Sequence, residues 1–340
     1  MIDLLVAGGG PAGLATAIHA ARSGLDVVVA EPRRGPVDKA CGEGVMPGGV
    51  RALATLGITV EGRPFRGIRY LDGQMEAEAH FRDGTGLGLR RTALHEALAR
   101  RAAELGVPVL PLRVDGRTLR QDRGSVTAAG ITARYLAAAD GLHSPIRRSL
   151  GLDLPPGTGG RRYGLRRHFA VAPWSDCVEV HWSANAEAYV TPVGPGLVGV
   201  AVLTADRAPY EAQLARFPRL AARLPAAAAT ATRGAGPLRQ RVRTPVSGRT
   251  LLVGDAAGYI DALTGEGIST ALAAAAHLVR CVRDDRPEDY GEAWRRASRR
   301  HRALTGALLW ARGRPGLAPR IVPAAARFPA LFTAAVNQLA

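Results

Sequence analysis

The sequence contains few cysteines, few aromatic residues and no long apolar run. Its three cysteines, Cys41, Cys177 and Cys281, are too few and too scattered for a disulfide framework or a zinc site. The longest apolar run, residues 268–279, is interrupted by a histidine and falls short of the roughly 18–20 residues that a membrane span needs. A strand is expected from the second residue onward, which leaves no room for a signal peptide. Together these absences predict a cytoplasmic protein without a metal site.

Acidic residues and lysine are also scarce. The chain carries 45 lysines and arginines against 29 acidic residues, which gives a formal net charge of +16. The basic residues are spread along the chain, which argues against nucleic acid as a partner and leaves weak peripheral contact with an anionic membrane as an expectation. No protein partner is predicted. Lys39 is the single lysine, so either this position needs an amine rather than a guanidinium or lysine persists there by chance.

Glycine, in contrast, is concentrated near the N-terminus between two apolar runs. Residues 2–6 predict a buried strand, residues 14–21 an alanine-rich helix, and residues 26–30 a second strand that leads into Glu31. The turn between the first strand and the helix reads Gly8-Gly9-Gly10-Pro11-Ala12-Gly13. A strand, glycine turn, helix, strand and terminal acid in this order indicate a dinucleotide-binding βαβ unit.

Each part of this unit has a physical task. Gly8 allows the tight turn, Gly10 lets the backbone approach a diphosphate, and Gly13 lets the helix lie close to the strand. The helix N-terminus offers free N–H groups and a partial positive charge to the phosphates. Glu31 would accept hydrogen bonds from the adenosine ribose hydroxyls. The predicted dinucleotide contacts in this unit are Gly8, Gly10, Pro11, Ala12, Gly13, Glu31 and Pro32.

The length and the order of elements predict two lobes and a helical C-terminus. We expect an α/β fold with a Rossmann-like dinucleotide-binding domain, an inserted antiparallel-sheet domain for the substrate, and C-terminal helices. Alternation over residues 164–203 predicts the curved antiparallel sheet, and residues 67–81 predict a hairpin. The first domain is predicted to comprise residues 1–62, 88–152 and 242–284, the second residues 63–87 and 153–241, and the helical region residues 285–340.

Three loops follow buried strands and are expected to meet. They are residues 8–13, residues 140–147 and residues 254–267. Ligands of doubly wound sheets bind at the carboxyl ends of the strands, so three such loops would contact one extended ligand. Residues 37–49 contain four glycines, which predicts a loop without regular structure, followed by a helix over residues 50–56.

With these motifs the chain resembles the FAD-dependent class A flavoprotein monooxygenases and the related geranylgeranyl reductases, over residues 1 to about 283. Two segments, Cys41-Gly42-Glu43-Gly44 and residues 263–268, are closer to the reductase and lipid-modifying branch. Ala262 stands where the family usually has a proline. The resemblance rests on the glycine turn with Glu31, the arginine that opens residues 91–94, Asp140-Gly141 followed by Ser144 and Arg147, and Gly254-Asp255-Ala256-Ala257.

The resemblance implies FAD as the cofactor, bound by a glutathione-reductase-like domain, and NAD(P)H as a transient reductant. Asp255 would hold the ribityl chain, Arg91 would lie near the diphosphate, and a helix that opens at Gly265 would direct its N-terminus at the flavin ring. For Asp140 the alternative is a structural role in an Asp-Gly turn. The FAD contacts expected beyond the βαβ unit are Cys41, Gly42, Arg91, Asp140, Gly141, Gly254, Asp255, Gly265, Glu266, Gly267 and Ile268.

The loop expected beside the flavin ring supplies the candidate catalytic residues, Lys39, Cys41 and Glu43. Lys39 would stabilise negative charge during the reaction, and Glu43 would orient the substrate. For Cys41 the alternative is a small buried residue without a chemical role.

Polar side chains in the predicted sheet are candidates for a substrate pocket. Alternation places Arg166 and His168 on one face of a strand, Glu179 and His181 on one face of the next strand, and Tyr189 on a third strand. Such a face either lines a substrate cavity over the flavin or forms the polar outer surface of the sheet.

The resemblance implies an FAD-dependent monooxygenase that uses NAD(P)H and O₂ on a phenolic, quinone-like or lipid-tailed secondary metabolite. The alternative is a flavin-dependent reductase of isoprenoid double bonds, and a third possibility is a flavin-binding protein without turnover. Trp174 and Trp182 are isolated, so the tryptophan motif of the flavin halogenases is absent.

Overall fold

Short strands and helices alternate through the first two thirds of the chain, and the remainder is mainly helical. The structure is a computed structural model that describes residues 1–155, 157 and 160–339. Residues 156, 158, 159 and 340, which belong to the predicted second domain and C-terminal region, lie outside this description. The helices are α1 (Pro11–Arg22), α2 (Pro47–Thr55), α3 (Arg91–Glu104), α4 (Pro145–Ser149), α5 (Tyr210–Leu214), α6 (Pro218–Ala221), α7 (Gly267–Arg283), α8 (Pro287–Arg312), α9 (Ile321–Arg327) and α10 (Pro329–Asn337).

The strands are also numbered in chain order. The first ten are β1 (Ile2–Ala7), β2 (Val27–Ala30), β3 (Gly44–Val45), β4 (Arg63–Phe65), β5 (Gly67–Leu71), β6 (Glu76–His80), β7 (Gly86–Gly88), β8 (Val109–Leu110), β9 (Arg120–Gln121) and β10 (Val126–Ala128). The next ten are β11 (Ile131–Ala138), β12 (Asp153–Leu154), β13 (Tyr163–Phe169), β14 (Cys177–Trp182), β15 (Ala186–Gly194), β16 (Leu197–Thr204), β17 (Arg233–Ala235), β18 (Arg241–Val242), β19 (Val246–Ser247) and β20 (Thr250–Leu252).

An eight-stranded sheet carries the N-terminal βαβ unit. Its main path is β19-β20-β11-β1-β2-β8, and β1 is parallel to both β2 and β11. The middle of β1 is fully buried, because α1, α3 and α7 pack together around this sheet and exclude water from its apolar residues. This arrangement confirms the predicted α/β fold with a Rossmann-like parallel sheet.

A seven-stranded sheet follows the order β17-β13-β16-β15-β14-β5-β6. Its strands are antiparallel except where β5 pairs with β14 in parallel. The antiparallel sheet predicted over residues 164–203 is confirmed by β13 to β16, and the β5–β6 hairpin, which comes from an earlier part of the chain, extends it through this parallel pair. No turn joins the hairpin directly to β14, and local sequence does not fix its direction.

The register gives this sheet two different faces. Arg166 pairs with Ala201, Ala201 with Tyr189, and Tyr189 with Val180, so these residues share one face, which we call the inner face. The inner face lies against the eight-stranded sheet's loops, because the Tyr189 hydroxyl donates to the carbonyl of Leu263 at 2.8 Å. The opposite, outer face buries an apolar cluster beneath α5 and α6.

The C-terminal helices cover part of both sheets. Helix α8 packs on α7, while α9 and α10 pack on β6. The rings of Phe332 and Tyr70 lie 4.7 Å apart, which places α10 against the inner face at the β5–β6 end. No helix in the described part of the chain is long and apolar enough to cross a bilayer. The domain boundaries and the cytoplasmic location stay predictions.

The glycine-rich segment 37–49 is more regular than predicted. Strand β3 lies within it, and α2 begins at Pro47 instead of residue 50. Proline suits the first turn of a helix, because its fixed φ is helical and its missing N–H would have no partner there. A Cβ on Gly49 would lie 2.5 Å from the Ser269 hydroxyl, so glycine is needed where α2 packs on α7.

Candidate active site

The glycine turn after β1 is closed by direct backbone contact. Gly8 has a φ of +110°, and a Cβ there would lie 2.5 Å from the carbonyl oxygen of Ala139. A Cβ on Gly13 would lie 1.8 Å from the Gly8 carbonyl oxygen. Only glycine fits at both positions, so α1 starts directly on β1 and presents its first N–H groups at the sheet's edge.

The three predicted loops meet at this turn. A Cβ on Gly254 would lie 2.7 Å from the Cβ of Ala12, which places the Asp255 turn beside the start of α1. A Cβ on Gly10 would lie 3.8 Å from Nη2 of Arg91, and one on Gly141 would lie 3.2 Å from Nζ of the single lysine. Segments that are far apart in the sequence therefore surround one space.

Glu31 already holds the glycine turn. Its Oε2 accepts from the Gly9 N–H at 2.8 Å. Its Oε1 accepts from the backbone N–H and from the side-chain Nε of Arg33. Burial disfavours the charge of Glu31, but these hydrogen bonds outweigh that effect and lower its pKa from 4.5 to about 2. Glu31 is therefore a fixed anion, as its predicted role at the ribose requires. Arg33 was not among the predicted residues.

The two aspartates predicted to contact FAD, Asp140 and Asp255, lie in different surroundings. Asp140 accepts from the Ile146 N–H through Oδ2 at 3.1 Å, so one oxygen has the structural role that was the alternative. Its Oδ1 is buried without a hydrogen-bond partner among the described residues. Burial raises the pKa of Asp255, and the cations of Arg91 and Lys39 oppose that shift.

Arg147, part of the family motif but not a predicted contact, joins these loops. Its side chain is almost fully buried. One guanidinium nitrogen donates to the carbonyl of Ala256 at 3.1 Å, and another donates to the carbonyl of Leu142 at 3.1 Å and to Gln240 at 2.9 Å. A single cation thus fixes the Asp255 turn against the loop that follows β11.

These residues fit FAD on three observations. The glycine turn has no Cβ where a diphosphate would approach. Lys39, Arg33 and Arg91 supply positive charge around it, as an anionic group requires. Asp140 Oδ1 and Arg91 Nε are a buried acceptor and a buried donor without partners in the described structure, so a polar ligand would satisfy both.

Lys39 lies at the loops of the eight-stranded sheet. Burial lowers the pKa of its amine, and the nearby Arg33 and Arg91 lower it further, while Asp255 and Glu31 oppose them. Its contact is with Gly141, one of the predicted FAD residues. This position suits contact with an anionic cofactor as well as the predicted catalytic role.

Glu43 joins the glycine-rich loop to the inner face. It is buried in a left-handed conformation with a φ of +59°. Its Oε1 accepts from the Arg91 N–H at 2.8 Å, and its Oε2 lies 2.6 Å from Nε2 of His168. Both oxygens of Glu43 are therefore engaged by the protein, which suits a positioning role better than the predicted contact with substrate.

His168 and Arg166 continue this connection. His168 Nδ1 lies 3.2 Å from an Arg166 guanidinium nitrogen and 2.9 Å from the Thr230 hydroxyl. Arginine can only donate, so we assign the imidazole proton to Nε2, facing Glu43. Arg166 also pairs with Asp38, which is adjacent to Lys39 in the chain. The predicted pair Arg166 and His168 thus supports the loop that carries the catalytic candidates.

Of the other predicted pocket residues, Tyr189 shares this inner face, whereas Glu179 and His181 do not. The structure pairs Tyr189 with Val180, so Glu179 and His181 point to the outer face. There the Glu179 carboxylate accepts from Trp174 at 3.0 Å and lies 3.0 Å from His181 Nε2. The expectation that Glu179 and His181 line a substrate cavity is wrong, because alternation fixes sides within a strand but not the register between strands.

The segment 263–268 is bound to the C-terminal helix α8. Helix α7 begins at Gly267, two residues later than predicted, after Glu266 at its N-cap. Glu266 lies 2.9 Å from His301 Nδ1, and Thr264 lies 2.8 Å from the Thr305 hydroxyl. The partners of this segment are about 40 residues away on another helix, and no local pattern predicts them.

A buried ion cluster lies at the far end of the inner face. Arg162 donates to Glu187 at 2.5 Å and to Asp261 at 3.0 Å, and Arg312 at the end of α8 also pairs with Glu187. Asp261 Oδ1 is buried without a partner among the described residues, as is the indole nitrogen of Trp182 on the strand next to Glu187. Sequence reasoning did not identify this cluster.

The convergence of a dinucleotide-binding turn, an Asp255 turn and a second sheet defines a flavoprotein oxidoreductase. The family model described as an FAD-binding domain matches residues 1–282. The chain therefore belongs to this FAD-binding family and is an FAD-dependent enzyme, for which NAD(P)H is the typical reductant.

Several curated proteins similar to the chain are named as reductases. The chain is 30% identical to the menaquinone reductase of Mycobacterium tuberculosis, over 79% of this chain and 74% of the relative. It is 28% identical to digeranylgeranylglycerophospholipid reductase 1 of Methanothermobacter thermautotrophicus, over 78% of this chain and 73% of the relative.

Solved structures confirm the fold. The flavin-dependent brominase Bmp2 superposes with a TM-score of 0.84 at 16% identity, over 99% of this chain and 93% of that one. A geranylgeranyl bacteriochlorophyll reductase-like protein of Thermoplasma acidophilum has a TM-score of 0.76 at 22% identity, over 95% and 90% of the two chains.

Proposed function

We propose that this enzyme reduces a carbon–carbon double bond in the polyprenyl chain of a lipid-tailed substrate. The observation that carries this proposal is the Cys41 thiol, which accepts from the Glu43 N–H at 3.4 Å on the loop between the FAD site and the inner face. The next residue of this loop, Gly42, accepts from Thr191 of the inner face at 2.7 Å. The names of two similar relatives support it, because menaquinone and digeranylgeranylglycerophospholipid both carry polyprenyl chains. This proposal reverses the order suggested by sequence alone, which favoured hydroxylation.

Cys41 is suited to hold a proton. Burial raises the pKa of its thiol above the ordinary value, although nearby Arg91 opposes this shift. The thiol therefore stays protonated at neutral pH. Glu43, the next residue but one, positions this loop through His168.

The reaction needs one hydride and one proton. When bound at this site, reduced FAD would supply the hydride chemistry that such a reduction needs. The Cys41 thiol delivers its proton to the carbon of the double bond that does not take the hydride, so the double bond gains two hydrogens, and the thiolate regains a proton from solvent.

The inner face carries apolar side chains that such a chain would contact. Tyr189, Val180, Trp182 and Leu263 belong to one buried apolar cluster between the two sheets. Helix α9 contributes Val322 to the same cluster, which helps to exclude water. An isoprenoid chain would pack here without needing hydrogen bonds.

Hydroxylation of a phenolic or quinone-like ring is the second candidate. It is favoured by two buried polar atoms without partners among the described residues, the Trp182 indole nitrogen and Asp261 Oδ1. A ring hydroxyl or carbonyl could satisfy such atoms, whereas a hydrocarbon chain could not.

Product mass separates the two candidates. The FAD-loaded enzyme is incubated with NADPH or NADH and either menaquinone or a geranylgeranyl lipid, with and without air. Reduction predicts a gain of two hydrogens that persists without air, and Cys41→Ser should lower this turnover at least tenfold. Cys281→Ser, a buried cysteine of α7, is the matched control. A gain of one oxygen that requires air would instead identify hydroxylation and overturn the proposal.

The C-terminal helices are the part that would contact a membrane holding such a substrate. Trp310, Phe328 and Leu331 are more than half exposed, and the Arg314 guanidinium lies 3.7 Å from the centre of the Trp310 ring. Exposed apolar residues beside arginines suit weak binding to an anionic surface. Replacing Trp310 and Leu331 by serine should reduce cosedimentation with anionic vesicles and leave FAD binding unchanged.

A further inference from the structure

Three potential metal ligands meet on the outer face, away from the FAD site. Glu78 and His80 lie on β6, and Cys177 is the first residue of β14. Their ligand atoms all lie within 4.8 Å of one another. We infer that Glu78, His80 and Cys177 form a binding site for one divalent zinc-like cation.

The sheet register explains why residues about 100 positions apart come together. Strand β5 lies between β14 and β6, and its Gly67 pairs with Cys177 on one side and His80 on the other. Residues paired across neighbouring strands share a face. Because Gly67 has no side chain, no group projects from this position between the thiol and the imidazole. A Cβ at Gly67 would lie only 2.1 Å from the Ala79 carbonyl oxygen, so the gap is built into the backbone.

Two arginines orient carboxylates toward the cluster. Arg69 Nε donates to Oε2 of Glu78 at 2.6 Å and its Nη2 pairs with the same oxygen at 2.5 Å, which leaves Oε1 for His80 at 2.6 Å. Asp176 repeats this arrangement, since one oxygen pairs with Arg66 and the other lies 3.8 Å from the Cys177 sulfur. Such outer contacts fix the direction of ligating groups in metal sites. Asp176 or a water is available as a fourth ligand.

The charge around the thiol favours a cation. The Glu78 carboxylate belongs to the cluster, and an Asp176 oxygen lies 3.8 Å from the Cys177 sulfur. A divalent ion that displaces the thiol proton would pair with these negative charges.

The donor set selects the type of ion. One sulfur, one nitrogen and one oxygen donor suit zinc, and cobalt is its usual spectroscopic substitute, whereas magnesium and calcium prefer oxygen donors alone. Bonds of about 2.0–2.3 Å put tetrahedral ligands about 3.3–3.8 Å apart, so the present cluster needs to adjust by roughly 1 Å. His80 can make this movement, because about half of its side chain is exposed.

The site would stabilise the attachment of the C-terminal helices. Asn337 of α10 donates to the His80 carbonyl at 2.9 Å, and Phe332 packs with Ala77 and Ala79 on the other face of β6. A metal that joins β6 to β14 would hold this whole edge together. Its role is structural, since the outer face does not contact the FAD site.

Equilibrium dialysis of the FAD-loaded enzyme against zinc and a competing chelator tests the site. We expect one zinc per chain for the wild type and for Cys281→Ser. We expect at least tenfold weaker binding for His80→Ala and for Cys177→Ser. With cobalt, the wild type should show a thiolate charge-transfer band in the difference spectrum, and Cys177→Ser should lack it.

Two results would overturn the inference. One is a wild type that retains no more zinc than His80→Ala, which would mean adventitious surface binding only. The other is a cobalt spectrum that is the same with and without Cys177. Because His80 is half exposed, His80→Ala should fold normally, so it decides the question even if Cys177→Ser proves unstable.

Discussion

The two large sheets build their halves of the site by different means. At the eight-stranded sheet the backbone itself shapes the site. A Cβ would collide with a neighbour at Gly8, Gly13 and Gly254. At the seven-stranded sheet buried polar and charged side chains shape the site, through the contacts of Glu43, His168 and Arg166. A site that is shaped by the backbone is specified by consecutive residues, whereas a site that is formed by side chains depends on which strands become neighbours.

The backbone half should fail completely when one glycine is replaced. In Gly8→Val the side chain would meet the Ala139 carbonyl and require a φ near +110°, which valine rarely adopts. We expect FAD affinity to fall at least 100-fold, measured by equilibrium dialysis with flavin absorbance. Gly291→Ala in α8, where a Cβ has open space, is the control and should bind FAD normally. Normal FAD binding by Gly8→Val would contradict the backbone description.

In the seven-stranded sheet, replacing a histidine of the inner face should lower the free energy of unfolding more than replacing one of the outer face. His168→Ala leaves Oε2 of the buried Glu43 without its partner, so we expect a loss of about 3 kcal/mol in the free energy of unfolding. His181→Ala on the outer face should cost less, because Glu179 still accepts from the Trp174 indole at 3.0 Å and pairs with Arg69 at 3.8 Å. Urea unfolding of both variants measures the contrast, and equal losses would refute the assignment of faces.

Acid should weaken the glycine turn through Glu31. Its pKa is lowered to about 2 in the folded protein, against 4.5 ordinarily, so its stabilisation is present above pH 4.5 and is lost as the pH falls toward 2. By linkage this amounts to about 2 kcal/mol between pH 6 and pH 3. Between pH 6 and pH 3 the free energy of unfolding should therefore fall about 2 kcal/mol less for Glu31→Gln than for the wild type. Parallel curves for the two proteins would count against the Glu31 contacts.

Lys39 lies where the two halves meet, and its replacement should have the smallest effect. We expect Lys39→Met to retain FAD and to slow turnover about tenfold, equivalent to about 1.4 kcal/mol of barrier. As the single lysine, Lys39 can also be followed with an amine-selective reagent, and FAD should protect it. Unchanged turnover together with unchanged labelling would make Lys39 a bystander.

The backbone half was predictable because its constraints are local. The order of β1, the glycine turn, α1 and β2 followed from residues adjacent in the chain, and the meeting of Asp255 with the start of α1 followed from the rule that ligand loops lie at the carboxyl ends of parallel strands. The face of Glu179 and His181 was not predictable, since it depends on the register of β14 with β15. The partners of Glu266 and Glu187 on α8 also lie beyond any local pattern. Long-range pairing therefore sets the limit of prediction here.

The parallel pairing of β5 with β14 bears on how the chain is made. Gly67 and Cys177 are partners about 110 residues apart, so during synthesis the β5–β6 hairpin emerges long before the strand that will complete it. Until then one hairpin edge keeps open N–H and C=O groups, which are prone to pair with other chains. Nascent chains that stop short of β14 should consequently be the most aggregation-prone length of this polypeptide.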